Sequence, residues 1–348
     1  MALVMVQGHV CDLLLSEGVR RSGLYQLQLL FHGSTAPGFL FASGFVAGLP
    51  RAPLSPKAAL RRARRLLFVL AVGYWLHLPF FSFAKTWAAG PVEKATLFAC
   101  HALQVIAVTQ LLVLVLQLLA PRYWTLVTGA LAVLVLVLGP FVWSSALSES
   151  LPPWLAPYLD ERSGSTFPVF PYAAFVLAGT VAGAVLGRQL PAERRRRTWA
   201  VAGTLLALGL LLSLLMRGRV DFWKISPGYV LLRLAGLLLL LRFVEAAALR
   251  GLPGLRALAL LGRETLLVYV LHLSLLFGGV TFGDSPLLHL AGRLSFTQAL
   301  LALGLMLPAL LAAAWAWNRA KASSPPRAQL ALAFASLWFG FAFLLRPW

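Results

Sequence analysis

The sequence predicts an all-α fold, a polytopic transmembrane helix bundle of about 10 to 11 helices, and three observations carry that prediction. Hydrophobic residues make up 60% of the chain and charged residues 12%, with a mean hydropathy of +0.82, outside the range of soluble globular domains. Apolar stretches of about 20 residues recur between short polar or Pro-rich connections, each long enough to cross a hydrocarbon core of roughly 30 Å. These stretches are continuous rather than alternating, which excludes a transmembrane β-barrel.

Taken in order, the expected spans are 1–16, 36–49, 64–83, 96–119, 124–143, 170–186, 199–216, 227–248, 265–280, 297–317 and 330–345. The first begins with no polar lead-in. The second is opened by Ser34, Thr35 and Pro37, hydroxyls that cap and a proline suited to a first turn; its start reaches back to Tyr25 if the two glutamines before Phe31 are tolerated. Within it, Ser43 and Gly44 suit close helix packing. No repeat or linker divides the chain, so residues 1–348 read as a single membrane domain.

Thirty basic residues give a net charge of +19, and their distribution decides what that charge means. Six fall between Arg51 and Arg65 and five between Arg188 and Arg197, and Arg122, Arg250, Arg256, Arg319, Lys321 and Arg327 fall on the same side of the expected bundle. Intervening loops carry most of the acids, including Glu17, Glu93, Glu149, Asp160, Glu161, Asp221 and Asp284. The positive-inside rule then expects a cell (inner) membrane protein with its first residue cytoplasmic and its C-terminus outside. The charge reads as topology and anionic-lipid contact, and a nucleic-acid partner is not expected. Cys11 and Cys100 both lie in expected spans and offer neither a disulfide framework nor metal-ligand spacing, so no metal is expected.

Ionisable groups inside a bilayer are costly and are functional candidates by default. His9 and Asp12 stand three apart on one helical face, where a carboxylate would hold one ring nitrogen and leave the other as a base; simple hydration near the interface is the plainer alternative. His32 is nominated by its place at the outer mouth of the second span. His101 and Gln104 share a face of the fourth span, either as interhelical packing or pointing into a cavity. Arg233, four residues after Tyr229, either binds an anionic group or snorkels outward. The stretch GRETLLVYVLH places Thr265, Tyr269 and His272 along one side of the ninth span, with Arg263 at its N-terminus, where free N–H groups and the helix dipole favour anions. The loop from Ser144 to Phe167 mixes aromatic rings with Asp160 and Glu161, a composition that fits an interfacial belt and also sugar stacking.

Several of these stretches together resemble one group, the multi-pass membrane acyltransferases that include the heparan-α-glucosaminide N-acetyltransferase catalytic-domain family and the broader acyltransferase-3 superfamily. ALVMVQGH resembles the end of that group's first helix, APGFLFASGF its second, FACHALQVIAV its fourth, FPVFPYAAFVLAG its Phe-Pro-x-x-Pro-Trp segment and GRETLLVYVLH its Gly-Arg-x-Ser-Leu-x-x-Tyr-x-x-His segment. The resemblance implies transfer of an acyl group, usually acetyl from cytoplasmic acetyl-CoA, to an amine or hydroxyl of an extracytoplasmic sugar or glycan, as in polysaccharide modification of the cell envelope. Carried over by position, His9 matches the first-helix histidine, and Gly262, Arg263, Tyr269 and His272 match the ninth-helix motif. His9, His32 and Asp12 are thus the catalytic candidates, and Arg263, Tyr269, His272, His101, Gln104 and Arg233 the substrate-binding ones. The histidine serves either as base or as a transient acyl carrier.

Acyl-CoA, acetyl-CoA in the first instance, enters as a donor substrate rather than a permanently bound cofactor. The partners expected are the bilayer, acyl-CoA and the sugar or glycan acceptor, with a homodimer as one assembly open to the chain. The group's Asp-x-x-Arg-Gly, due directly before Ala2, is absent, so the first helix is expected to lack its cytoplasmic turn. Two other classes compete with the enzyme: a transporter or flippase using the same buried histidines and arginines for gating, and a non-catalytic relative. No inverted repeat or pair of broken helices supports the transporter.

Overall fold

The computed structural model describes residues 1–51, 53–279 and 285–346, apart from the side chains of Pro79, Val92, Ala95 and Pro286. In chain order the helices are α1 (Ala2–Leu14), α2 (Glu17–Arg20), α3 (Gly23–His32), α4 (Thr35–Gly48), α5 (Pro56–Leu76), α6 (Phe83–Ala88), α7 (Pro91–Thr96), α8 (Ala102–Leu119), α9 (Trp124–Ser144), α10 (Val169–Leu186), α11 (Pro191–Leu215), α12 (Pro227–Leu249), α13 (Leu255–Arg263), α14 (Thr265–Phe277), α15 (Phe296–Ser323) and α16 (Pro325–Leu345). No strand longer than a single bridge occurs among the described residues, and the all-α polytopic architecture stands.

Each of the eleven expected spans contains a helix, yet among the described residues only seven helical stretches are long and apolar enough to cross a membrane by themselves, or eight with the bent pair α13–α14. The other three are α1, at 13 residues shorter than the roughly 20 a bilayer needs, and α5 and α12, which carry charged residues, among them Arg61, Arg62, Arg64 and Arg65 in the first and Arg233, Arg242 and Glu245 in the second. The second span is longer than its apolar core suggests and runs over Gly23–Gly48. Two boundaries move toward the basic loops. Helix α5 starts at Pro56, not Arg64, because Ser55 accepts a hydrogen bond from the Ala58 N–H and proline occupies the first turn. Helix α11 starts at Pro191, not Trp199, and winds Arg194–Arg197 into its first turns, arginine being a good helix former. Val280, the expected end of the ninth span, and the acid Asp284 lie outside the described residues.

The chain divides into two compact units. The first comprises 1–35, 78–90 and 250–348, and the second 36–77 and 91–249. In the first, α1 packs against α3, α13, α14 and α15. Its C-terminal end is fixed by backbone bonds to the segment before α15: the Gly292 N–H donates to the Leu13 carbonyl (2.9 Å), Leu294 to Leu14 (2.8 Å) and Ser16 back to Leu294 (2.9 Å). Helices α13 and α14 meet at a bend of 83°, and the buried Glu264 at that bend accepts from Asn318 (2.8 Å) and Lys321 (2.6 Å) of α15. A buried carboxylate is tolerated there because both of its oxygens are partnered.

In the second unit α11 packs along α12, α9 and α8 against α10, and α5 against α8. Helices α4 and α10 approach through four glycines. A Cβ on Gly44 would lie 2.0 Å from the Val176 carbonyl oxygen, on Gly48 2.0 Å from that of Thr180, on Gly179 2.1 Å from that of Phe41 and on Gly183 2.1 Å from that of Phe45. Each helix thus presents a Gly-xxx-Gly pair whose missing side chains let the backbones touch.

Candidate active site

Helix α1 presents Gly8, His9 and Asp12 to α3 and α14, all within the first unit. His9 Nδ1 lies 2.8 Å from His272 Nε2, and the two rings are nearly parallel, 9° apart. His272 Nδ1 lies 2.8 Å from the Val268 carbonyl one turn back on α14. A carbonyl oxygen only accepts, so His272 donates from Nδ1, and in a neutral ring its Nε2 is then a bare acceptor. His9 must donate to it from Nδ1, which leaves His9 Nε2 with its lone pair available. His272 is completely buried while His9 remains partly accessible. Tyr269 is buried with its ring edge-on to His272 (5.7 Å between centroids) and forms one wall.

A second pair stands beside the first. His32 Nε2 lies 3.0 Å from Asp12 Oδ2, and the Tyr25 hydroxyl donates to Asp12 Oδ1 (2.7 Å). With Nε2 donating to the carboxylate, the remaining lone pair of His32 sits on Nδ1, which is buried and without a partner among the described residues. That nitrogen is pressed on Gly8, where a Cβ would come within 1.6 Å of it. The His9 and His32 rings meet edge-on, with centroids 5.8 Å apart. Gln28 donates to Gln7 (3.3 Å), which tethers α3 to α1 one turn earlier.

Gly8→Ala is expected to push the His32 ring off α1 and break its contact with Asp12. Turnover should fall several-fold while the melting temperature in detergent stays near wild type, because a ring rather than backbone has to move. Unchanged turnover would show that the placement of His32 is irrelevant to the reaction.

The remaining candidates sit elsewhere. Arg263 is exposed as the last residue of α13, on the far side of the bend from the N-terminus of α14 where the sequence placed it. Thr265 turns back to the Leu261 and Gly262 carbonyls and drops out of the Tyr269–His272 stripe. His101, Gln104 and Arg233 belong to the second unit. Arg233 lies over the Tyr229 ring, 5.1 Å from its centroid. Gln104 is fully buried, donates to the Ala99 carbonyl (3.4 Å) and packs on Gly73. His101 lies 3.0 Å from the Thr166 hydroxyl and stacks on His77 at 3.7 Å. In the loop after α9, Asp160 is turned inward to Ser148 (2.6 Å) and the Arg162 N–H (3.0 Å). Glu161 pairs with Lys224 (2.6 Å), a hydrogen bond that raises the ammonium pKa.

A family model described as an acyltransferase domain, of the acyltransferase-3 type, matches residues 1–317. The chain belongs to the acyltransferase-3 family. No curated protein and no solved structure matches it. As an acyltransferase-3 protein it is a membrane acyltransferase, and the match covers all of α1, α3 and α14, which carry the histidine pair. Sequence reasoning passed over His77, Tyr25, Gly8 and Glu264. His77, in GYWLHLPF, was open to notice as an ionisable residue near the end of an apolar span. Tyr25 and Gly8 carry no such signal, since tyrosine and glycine are ordinary in membrane helices.

Proposed function

We propose that this acyltransferase moves an acetyl group from cytoplasmic acetyl-CoA to an amine or hydroxyl of an extracytoplasmic sugar or glycan, with His9 as the general base. The reading rests on one observation above the others. The chain from the Val268 carbonyl through His272 to His9 directs the single free lone pair of the two rings to His9 Nε2, on the accessible member of the pair. His9 Nε2 takes the proton from the acceptor amine or hydroxyl as that atom attacks the thioester carbonyl. The C–S bond breaks, and the imidazolium returns the proton to the departing thiolate, so free CoA thiol and acetylated acceptor result. His272 positions the base by fixing its tautomer, and Asp12, held by His32 and Tyr25, places a carboxylate one turn along α1 from the developing imidazolium.

The resemblance to the heparan-α-glucosaminide N-acetyltransferase group makes glucosamine-type amino sugars the first acceptors to test. A cell-membrane location with the basic loops cytoplasmic belongs to the same reading, as do Arg263 as a donor-side contact and, in the second unit, His101, Gln104 and Arg233 as substrate contacts.

The test is purified protein in lipid with radiolabelled acetyl-CoA and a panel of amino sugars and glycans. Label is expected in the acceptor and absent from the protein when acceptor is withheld. Label held on the protein through His9 would replace the base by an acyl-histidine carrier. No acetyl-CoA binding and no transfer with any acceptor would sink the proposal.

A further inference from the structure

Within the second unit, an apolar groove of about 320 Å³ is walled by Phe41 of α4, Ala132 of α9, Ala182 of α10, Leu205 of α11 and Leu234 of α12. Thr198 supplies the one side-chain hydroxyl of its lining, and that hydroxyl donates back to the Arg194 carbonyl (2.7 Å). One end of the groove is strongly cationic. Thr198 follows Arg194 by one helical turn on α11, and Leu238, another lining residue, precedes Arg242 by one turn on α12.

Arg194 and Arg242 share a single carboxylate. Arg194 approaches Glu245 at 3.2 Å, and Arg242 contacts its other oxygen. Two guanidinium groups on one carboxylate leave one positive charge over. The Nε atoms of both arginines are buried and without a partner among the described residues. The first turns of α11 also carry Arg195, Arg196 and Arg197, the last paired with Glu193 (2.9 Å), and Arg188 and Arg122 precede α11 and α9 in sequence.

We propose that this groove seats one acyl chain of an anionic glycerophospholipid, whose phosphate pairs with the partly exposed guanidinium groups of Arg194 and Arg242. Two features of the site select that occupant together. A wall whose one side-chain hydroxyl is already turned back to its own helix accepts an alkyl chain and leaves the amides of a CoA pantetheine arm unsatisfied. A half-buried, incompletely neutralised guanidinium pair at its end recognises a phosphate with charge-assisted hydrogen bonds. The basic residues at that end of the helices then hold a lipid in place as well as setting topology.

The full chain is to be reconstituted in phosphatidylcholine vesicles containing a minor share of phosphatidylglycerol, extracted in detergent and read by native mass spectrometry for retained lipid. One phosphatidylglycerol is expected to stay bound, enriched about tenfold over phosphatidylcholine, equal to about 1.4 kcal/mol. Arg242→Gln should abolish the enrichment while a neutral lipid still enters, and Ala182→Phe, which plugs the groove without touching a charge, should abolish retention of either. The melting temperature is read alongside, and Ala178→Leu replaces the plug if Ala182→Phe does not fold. Equal retention of the two lipids, wild-type retention in the variants, or displacement of the lipid by palmitoyl-CoA as readily as by phosphatidylglycerol overturns the proposal.

Discussion

His9→Ala is expected to reduce acetyl transfer by about 10²- to 10⁴-fold, the usual contribution of a positioned general base, while the protein remains folded in detergent. Most of the loss should fall on kcat, because the imidazole acts on a proton in flight rather than on the resting substrates. The partner ring makes the test sharper. His272→Phe keeps an aromatic body in the buried slot but removes the acceptor for His9 Nδ1. His9 then distributes its proton between both nitrogens, so a loss of about tenfold or more is expected from a residue proposed to act through His9. Because the two rings act as one unit, the double variant should be no slower than His9→Ala alone. Additive losses would mean that His272 works independently of His9. Activity that survives His9→Ala would remove the base from α1 altogether.

The largest effect on stability is expected at the crossing of α4 and α10. A methyl group on Gly44 or Gly179 would stand within about 2 Å of a carbonyl oxygen of the opposite helix, and no rotamer change relieves a contact between Cβ and backbone. The helices would have to separate along the whole crossing, since Gly48 and Gly183 make the same contact one turn further on. Overpacking of a core typically costs about 1–3 kcal/mol and more where the backbone must move. Gly179→Leu should therefore lie beyond that range and give protein that aggregates on extraction. Gly203→Ala supplies the contrast. Nothing lies within 4 Å of its added Cβ, and alanine is the better helix former by about 1 kcal/mol, so its melting temperature should hold or rise. A Gly179→Leu protein that elutes as a single species at the wild-type melting temperature would refute the crossing.

The helical bundle was legible from composition and from the length of the apolar runs, because a lipid environment leaves a spanning segment few ways to satisfy its backbone other than the helix. Boundaries were less legible where arginines follow a proline. The residues before Arg64 and before Trp199 read as loops by charge, yet the Pro56 and Pro191 starts make them the first turns of α5 and α11. The candidate site was legible one helix at a time. His9 and Asp12 announced themselves as polar groups in an apolar run, and so did Tyr269 and His272.

Their pairing was not written in either stretch. The two histidines are 263 positions apart, and whether Asp12 holds His9, its neighbour in sequence, or His32, from the next helix, depends on how α3 lies on α1. Tertiary structure decided for His32, because the missing side chain of Gly8 lets that ring settle directly on the α1 backbone. Sequence alone determined that this is a membrane helix bundle with histidines buried in it, since hydropathy is a local property summed along the chain. Only the fold decided which lone pair is free, since that depends on hydrogen bonds between helices distant in sequence.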